Sequence, residues 1–271
     1  MLFKVVTPYG SIAVEDHRGN GTPILLIHGN SSCRGVFLRQ TQSTLAESHR
    51  LIAIDLPGHG QSDDAPDPVN GYTRPGLADS IIELLTVLDI GEVIRMGWSL
   101  GGHIGIEMLS RFNGVKGLII TGTPPDRHGG MAEGFVALPQ TGLAGRRDLS
   151  EAEIDDFARM MFGEPVEPFL RDAIRRADGH CRQRLFEAAR AGYGVDQRLA
   201  LENTSVPVAV INGDGDPLIK LDYIDGAAHA RLWQGRCHRL SGVGHAAFWH
   251  AADEFNSMLF RFARNVESKA V

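Results

Sequence analysis

The stretch that decides the fold is VIRMGWSLGGHIGIEM, Val93 to Met108. An apolar run of β type, Val93 to Met96, stops at Gly97-Trp98-Ser99-Leu100-Gly101. A helical period then resumes at once through Leu100, Ile104 and Met108, with Ile106 and Leu109 beside it. Glycine weakens strands and helices alike, so two of them around one serine need a compensating reason. A sharp strand-to-helix turn supplies one. Gly97 and Gly101 have no Cβ, so strand and helix can pack closely on either side of Ser99. The serine hydroxyl then points outward at the start of a helix, which is the geometry of a G-x-S-x-G nucleophile elbow. In a chain with 32 glycines the string alone is weak. The strand before it and the helix after it give it weight.

Working outward, short apolar runs of the buried-strand type recur at Ile24 to Ile27, Leu51 to Ile54, Leu118 to Thr121 and Val206 to Ile211. Alternating segments at Phe3 to Val6 and Ser11 to Glu15, joined at Pro8-Tyr9-Gly10, predict a hairpin. Helical patterns lie between the runs, at Val36 to Ala46, Arg74 to Leu88 and Leu100 to Phe112. Strand and helix in alternation predict an α/β fold with a mostly parallel central sheet flanked by helices. The alternation breaks from Pro124 to about Asn203, where the patterns are helical. Ser150 to Glu153 form a capping box ahead of Ile154, Phe157, Ala158 and Met161. A second helix is expected from near Pro165 to before Gly179, and a third over Cys181 to Arg190. Such an insertion is too long for one crossover and predicts a helical cap over residues 124–203. Residues 1–123 and 204–271 would form the core domain.

Composition narrows the function. The chain of 271 residues is 43% hydrophobic, enough for one sizeable core. Its net charge of -6 makes no electrostatic case for nucleic acid. Cys33, Cys181 and Cys237 are odd in number and far apart, which fits a reducing compartment rather than a disulfide scaffold. No signal-peptide h-region and no run near the ~20 apolar residues of a membrane span is found. A cytoplasmic protein with a small-molecule partner, and with no membrane association, is the expectation.

A serine hydroxyl needs a base within hydrogen-bond reach, and that base needs an orienting acid. The acid is sought in VAVINGDGDP, Val208 to Pro217, where a strand ends; Asp216 or Asp214 could serve, and Pro217 just beyond favours Asp216. The base is sought near the end, where His245 stands among small residues in SGVGHAAF, after an expected strand at Cys237 to Leu240. His250 is its nearest rival. His103 is expected to pack, His28 to brace a loop, and His17, His49, His128, His180 and His229 to lie at the surface. An oxyanion hole needs two N–H donors. Leu100 would supply one, and Asn30 in the His28-Gly29-Asn30-Ser31-Ser32 loop the other.

The elbow, the HGNSS loop, DLPGHGQS (Asp55 to Ser62) and the glycine-histidine loop resemble the α/β-hydrolase superfamily. More narrowly, GWSLGGHIGIEM, TGTPP (Thr121 to Pro125) and the acid loop resemble metal-independent N-acyl homoserine lactonases of this fold, from the first hairpin to the last helix. The resemblance implies the α/β-hydrolase fold with an inserted helical lid, and Ser99 as nucleophile, Asp216 as acid, His245 as base and Asn30 with Leu100 as the oxyanion hole. It implies opening of a lactone ring (quorum quenching), without a metal or cofactor. The acyl chain would lie under the lid against residues such as Trp98, Phe157, Met160 and Phe248, with a core position the alternative for each. Two positions depart from the pattern: the acid is Asp where relatives carry Glu, and Phe157 falls where such a lactonase has a lid tyrosine that can hydrogen-bond substrate. A general carboxylesterase is the alternative, and a signal-binding protein without turnover a further one. A metal-dependent lactonase would need an H-x-H-x-D-H cluster, and a haloalkane dehalogenase an Asp in place of Ser99.

Overall fold

The computed structural model describes residues 1–268. Its eight strands are β1 (Leu2–Thr7), β2 (Gly10–His17), β3 (Ile24–Ile27), β4 (Leu51–Ile54), β5 (Val93–Trp98), β6 (Val115–Thr121), β7 (Val208–Gly213) and β8 (His238–Leu240). They form one sheet in the order β1-β2-β4-β3-β5-β6-β7-β8. The hairpin β1–β2 and the pair β2–β4 are antiparallel, and every other pair is parallel.

The parallel strands are continuous apolar runs because both faces of the sheet are covered. In β3, Leu25 and Ile27 pack with Ile52, Ile54, Ile81 and Ile104 on one face. Ile24 and Leu26 pack with Met96, Ile119 and Phe255 on the other. Burying such an aliphatic side chain contributes roughly 1.5–3 kcal/mol relative to leaving it exposed. The first face is closed by α1 (Arg74–Val87) and by α2 (Leu100–Glu107), which follows β5 directly. Thr73 caps α1 by accepting from the Gly76 amide at 3.0 Å.

Several expected boundaries move. The helix expected at Val36 to Ala46 is three short pieces, Arg34–Phe37, Leu38–Thr41 and Leu45–Ser48. Ser43 breaks it: its hydroxyl bonds back to the Gln40 carbonyl at 2.8 Å and accepts from the Leu45 amide at 3.2 Å. Strand β7 starts at Val208 rather than Val206, because the Val206 amide is spent on Thr204 Oγ1 and Pro207 has no N–H to give.

Between β6 and β7 the chain forms 3-10 turns at Met131–Gly134 and Pro139–Gly145, then α3 (Glu151–Phe162), α4 (Pro168–Arg176), α5 (Gly179–Arg190) and α6 (Gln197–Asn203). One isolated bridge, Phe135 to Ile219, ties this segment to the loop after β7. The capping box at Ser150 is present, with the Ser150 amide donating to Glu153 Oε2 at 2.8 Å, and Ile154, Phe157, Ala158 and Met161 are buried as one face. Helix α4 begins at Pro168, not Pro165, with Pro168 in its first turn, where the missing N–H costs nothing. The last helix, α7 (Ala252–Ser268), covers the second face of the sheet through Phe255, Leu259 and Phe262. Among the described residues no helix is long and apolar enough to cross a membrane.

Candidate active site

Ser99 stands at the end of β5 with φ 52° and ψ -114°, a left-handed conformation that side-chain-bearing residues rarely adopt. Such strain costs about 1–3 kcal/mol and persists only where the surroundings impose it. Here the Ser99 amide donates to the Thr121 carbonyl at 2.9 Å, and the Ser99 carbonyl accepts from the Gly102 amide at 3.0 Å and from Thr123 Oγ1 at 2.9 Å. A Cβ on Gly101 would strike the Ile27 carbonyl, and one on Gly97 would strike the backbone of Gly101. Strand and helix therefore approach as closely as the glycine spacing predicts.

The acid and base loops follow β7 and β8 and meet beside this turn. His245 Nδ1 donates to Asp216 Oδ2 at 2.8 Å, with both side chains buried. The other oxygen of Asp216 accepts from the Leu218 amide at 2.9 Å, which fixes the carboxylate plane. Asp214 is exposed and accepts from the Gly242 amide at 2.8 Å, bracing the loop that carries the histidine rather than touching its ring. The His245 carbonyl accepts from Trp98 Nε1 at 3.1 Å. Gly122 makes room for the imidazole: a Cβ there would lie 2.7 Å from His245 Cε1. With Nδ1 donating, Nε2 carries the lone pair, and this nitrogen is buried without a protein partner.

The loop after β3 is clamped by two neutral histidines. His28 donates from Nδ1 to the Gly29 carbonyl at 2.7 Å and accepts the Leu56 amide on Nε2 at 3.0 Å. His59 donates to the Pro57 carbonyl at 3.0 Å and accepts the Ser31 amide at 3.1 Å. Burial holds both in the neutral form, pushing His28 down to about 4 and His59 to about 3. The DLPGHGQS segment closes the clamp: buried Asp55 pairs with Arg34 and accepts from the Gln61 amide at 2.8 Å. In this loop Asn30 Nδ2 donates to the Ala144 carbonyl at 2.8 Å, so the side chain is committed to the helical segment. Neither the Asn30 nor the Leu100 backbone N–H donates a hydrogen bond to any described residue.

Ser99, Leu100, Asn30 and His245 line one cavity of about 590 Å³, walled on the far side by the 3-10 turns, α3 and α5. Phe157 and Met160 line it, as expected from the sequence. Trp98 and Phe248 do not. Both are fully buried and stack on each other with ring centres 5.3 Å apart, Trp98 also 5.5 Å from His245. Their β5 and post-β8 positions turn them into the core behind the histidine, where they support it and cannot reach substrate. His49 is likewise buried rather than at the surface, edge-on to Phe260 at 5.5 Å. His250 is exposed and bonds the Phe162 carbonyl at 2.6 Å, away from Asp216. Cavity residues that sequence reading passed over include Arg74, His103 and Leu218. For His103 a signal existed, since it falls one helical turn after Ser99.

A strained serine, a histidine held by a buried carboxylate and two free amides thus meet around one cavity. The alpha/beta hydrolase family model matches residues 24–258. A solved structure of the N-acyl homoserine lactonase AidH, complexed with N-butanoyl homoserine, superposes with a TM-score of 0.96 at 41% identity, covering 98% of this chain and 97% of that one. The pimeloyl-[acyl-carrier protein] methyl ester esterase of Nitrosospira multiformis is 27% identical over 91% of this chain and 96% of its own. The AB hydrolase superfamily protein YisY of Bacillus subtilis is 25% identical over 94% and 96%. The chain belongs to the alpha/beta hydrolase family and is an enzyme of its carboxylic ester hydrolase class.

Proposed function

We propose that this enzyme opens the lactone ring of N-acyl homoserine lactones through a Ser99-His245-Asp216 triad. Ser99 Oγ attacks the lactone carbonyl carbon while its proton passes to His245 Nε2, and Asp216 stabilises the imidazolium that forms. The carbonyl oxygen, now negative, accepts from the N–H groups of Asn30 and Leu100. The ring C–O bond breaks, and the leaving alkoxide takes the proton from His245. The alcohol stays tethered, because it belongs to the same molecule as the acyl group on Ser99. Water then gives its proton to His245 and attacks the acyl-enzyme, releasing the N-acyl homoserine and restoring the Ser99 hydroxyl. No step requires a metal or cofactor. Residues 1–123 and 204–268 act as the core domain that carries these groups, and residues 124–203 as a cap. The acyl chain rests on Phe157 and Met160.

The observation that carries the reading is the orphaned Nε2 of His245, buried in the wall of the cavity that Ser99 also lines. The likeness to a lactonase at 41% identity supports the lactone as substrate. The esterase relatives favour a second reading, a general carboxylesterase with the same triad. Turnover of N-acyl homoserine lactones of rising chain length, beside p-nitrophenyl esters of equal length, separates the two. The lactonase reading expects higher kcat/KM on the lactones after correction for their alkaline reactivity. Esters turned over with inert lactones would replace it with the esterase reading.

A further inference from the structure

His103 lies one turn along α2 from Ser99, is buried, and lines the same cavity. Its Nδ1 is 2.7 Å from Gln197 Oε1, and Gln197 Nε2 donates to the His103 carbonyl at 3.1 Å. The second bond fixes which end of the amide is oxygen. The oxygen faces Nδ1, so Nδ1 carries the proton and Nε2 carries a lone pair. That Nε2 has no protein partner, and it is not among the polar atoms sealed off by protein. Burial, with the Arg74 guanidinium nearby, pushes His103 down to about 4, so the ring is a neutral acceptor at neutral pH.

Apart from His245, whose free Nε2 is the proposed base for Ser99, the other buried polar side chains around the cavity are already engaged. Arg74 gives both terminal nitrogens to Asp126 at 2.8 and 2.9 Å. Asn30 gives Nδ2 to the Ala144 carbonyl, and its oxygen accepts from Ser31 Oγ at 3.2 Å. An unpaired acceptor facing a mostly apolar cavity costs free energy unless the ligand brings a donor. An N-acyl homoserine lactone carries one N–H, on the carbon next to the scissile carbonyl.

We infer that His103 Nε2 is a specificity-determining acceptor that selects substrates bearing an N–H on the carbon α to the scissile carbonyl. This rests on the hydrolase site described above but not on the ring of the substrate. A site that pairs a substrate donor discriminates against the analogue lacking it.

The test uses two matched pairs: N-hexanoyl homoserine lactone with its analogue carrying CH2 in place of N–H, and N-hexanoylalanine methyl ester with the same replacement. All rates are referred to alkaline hydrolysis. The wild-type enzyme is expected to prefer the N–H member by roughly three- to tenfold. In His103→Leu that ratio falls toward one. Gln197→Leu frees the ring to turn and is expected to lower the ratio as well, and it decides the matter if His103→Leu does not fold. No wild-type preference, both members of a pair losing rate in parallel in the variants, or no turnover of either pair would overturn the inference. Inert lactones beside cleaved methyl esters would remove the lactonase reading alone, with the selectivity still read on the esters.

Discussion

The two walls of the cavity are made in different ways. On one side Asn30, Ser99, Leu100 and His245, with Asp216 behind the histidine, hang from turns that follow β3, β5, β7 and β8, at the carboxyl ends of parallel strands where open α/β sheets gather their ligands. Ser99 is held by four hydrogen bonds at its own peptide groups, Asp216 by the Leu218 amide, and His245 by the indole of Trp98 and the gap at Gly122. On the other side Phe157, Met160, Phe135 and Leu185 belong to amphipathic helices or turns whose outer faces are charged. They are placed by side-chain packing, which tolerates exchange among apolar residues of similar volume. On the proposed reading the rim carries the reaction, and the helical wall supplies apolar contact to the acyl chain.

Substitutions at the rim sharpen this contrast most. Ser99→Ala is expected to lower kcat by at least ~10⁴-fold, since triad members act as a unit. Asp216→Asn is expected to approach that loss, because the amide can present its NH2 group to Nδ1 and force the wrong tautomer. Asp214→Asn, which keeps an acceptor for Gly242, is expected to stay within a few-fold of the parent (steady-state kinetics on one ester measure all three). A variant at Ser99 with more than a tenth of the activity, or Asp214 ranking above Asp216, would remove the distinction between the two loops.

Much of the rim was legible in the sequence because its constraints are written in residue types with few substitutes. Glycine at 97 and 101 reports a close approach that any Cβ forbids, and the strand before it sets the direction of Ser99. Asp214 and Asp216 remain ambiguous until the turn is seen, because two residues apart they occupy opposite ends of one hydrogen-bonded loop. The helical wall was legible only as helices. An aromatic residue reads alike whether it lines a cavity or fills the core, and of the three Phe157 lines the cavity while Trp98 and Phe248 fill the core. The segment 131–145, which supplies nearly half of that wall, is built on two 3-10 turns too short in period to announce themselves. His103 reads as packing because it does pack, and only its amide partner Gln197, 94 residues on, reveals the free nitrogen.

The rim is also where acid enters the energetics. His28, His59 and His103 are held neutral by burial, with folded values of about 4, 3 and 4. Between roughly pH 4 and the unfolded value near 6.5 the unfolded chain binds more protons than the folded one, so stability rises with pH across that window and levels off above it. Taking the protein from pH 7.5 to 5 is expected to cost on the order of 1–2 kcal/mol per histidine, seen as a lower Tm. In His59→Gln, which cannot titrate, the acid limb is expected to be shallower. A Tm profile for that variant parallel to the parent's would show that the clamp between the β3 and β4 loops does not couple to protons.

The smallest expected effect tests the helical wall at one atom. Phe157 is 1% exposed to solvent and lines the cavity with an apolar ring that has no hydrogen-bonding group. Phe157→Tyr adds one hydroxyl at the ring edge. A neutral hydrogen bond contributes ~0.5–1.5 kcal/mol net, a factor of a few up to about ten in rate. For an N-acyl homoserine lactone kcat/KM is therefore expected to rise by that factor. For a p-nitrophenyl ester of equal chain length, which lacks the amide and the lactone oxygen, it is not. Taking both ratios on one variant cancels any common effect on folding or on the helical segment. Parallel changes, or none, would make Phe157 a packing residue of α3, and the control of substrate choice would then rest on the turns and α5 instead.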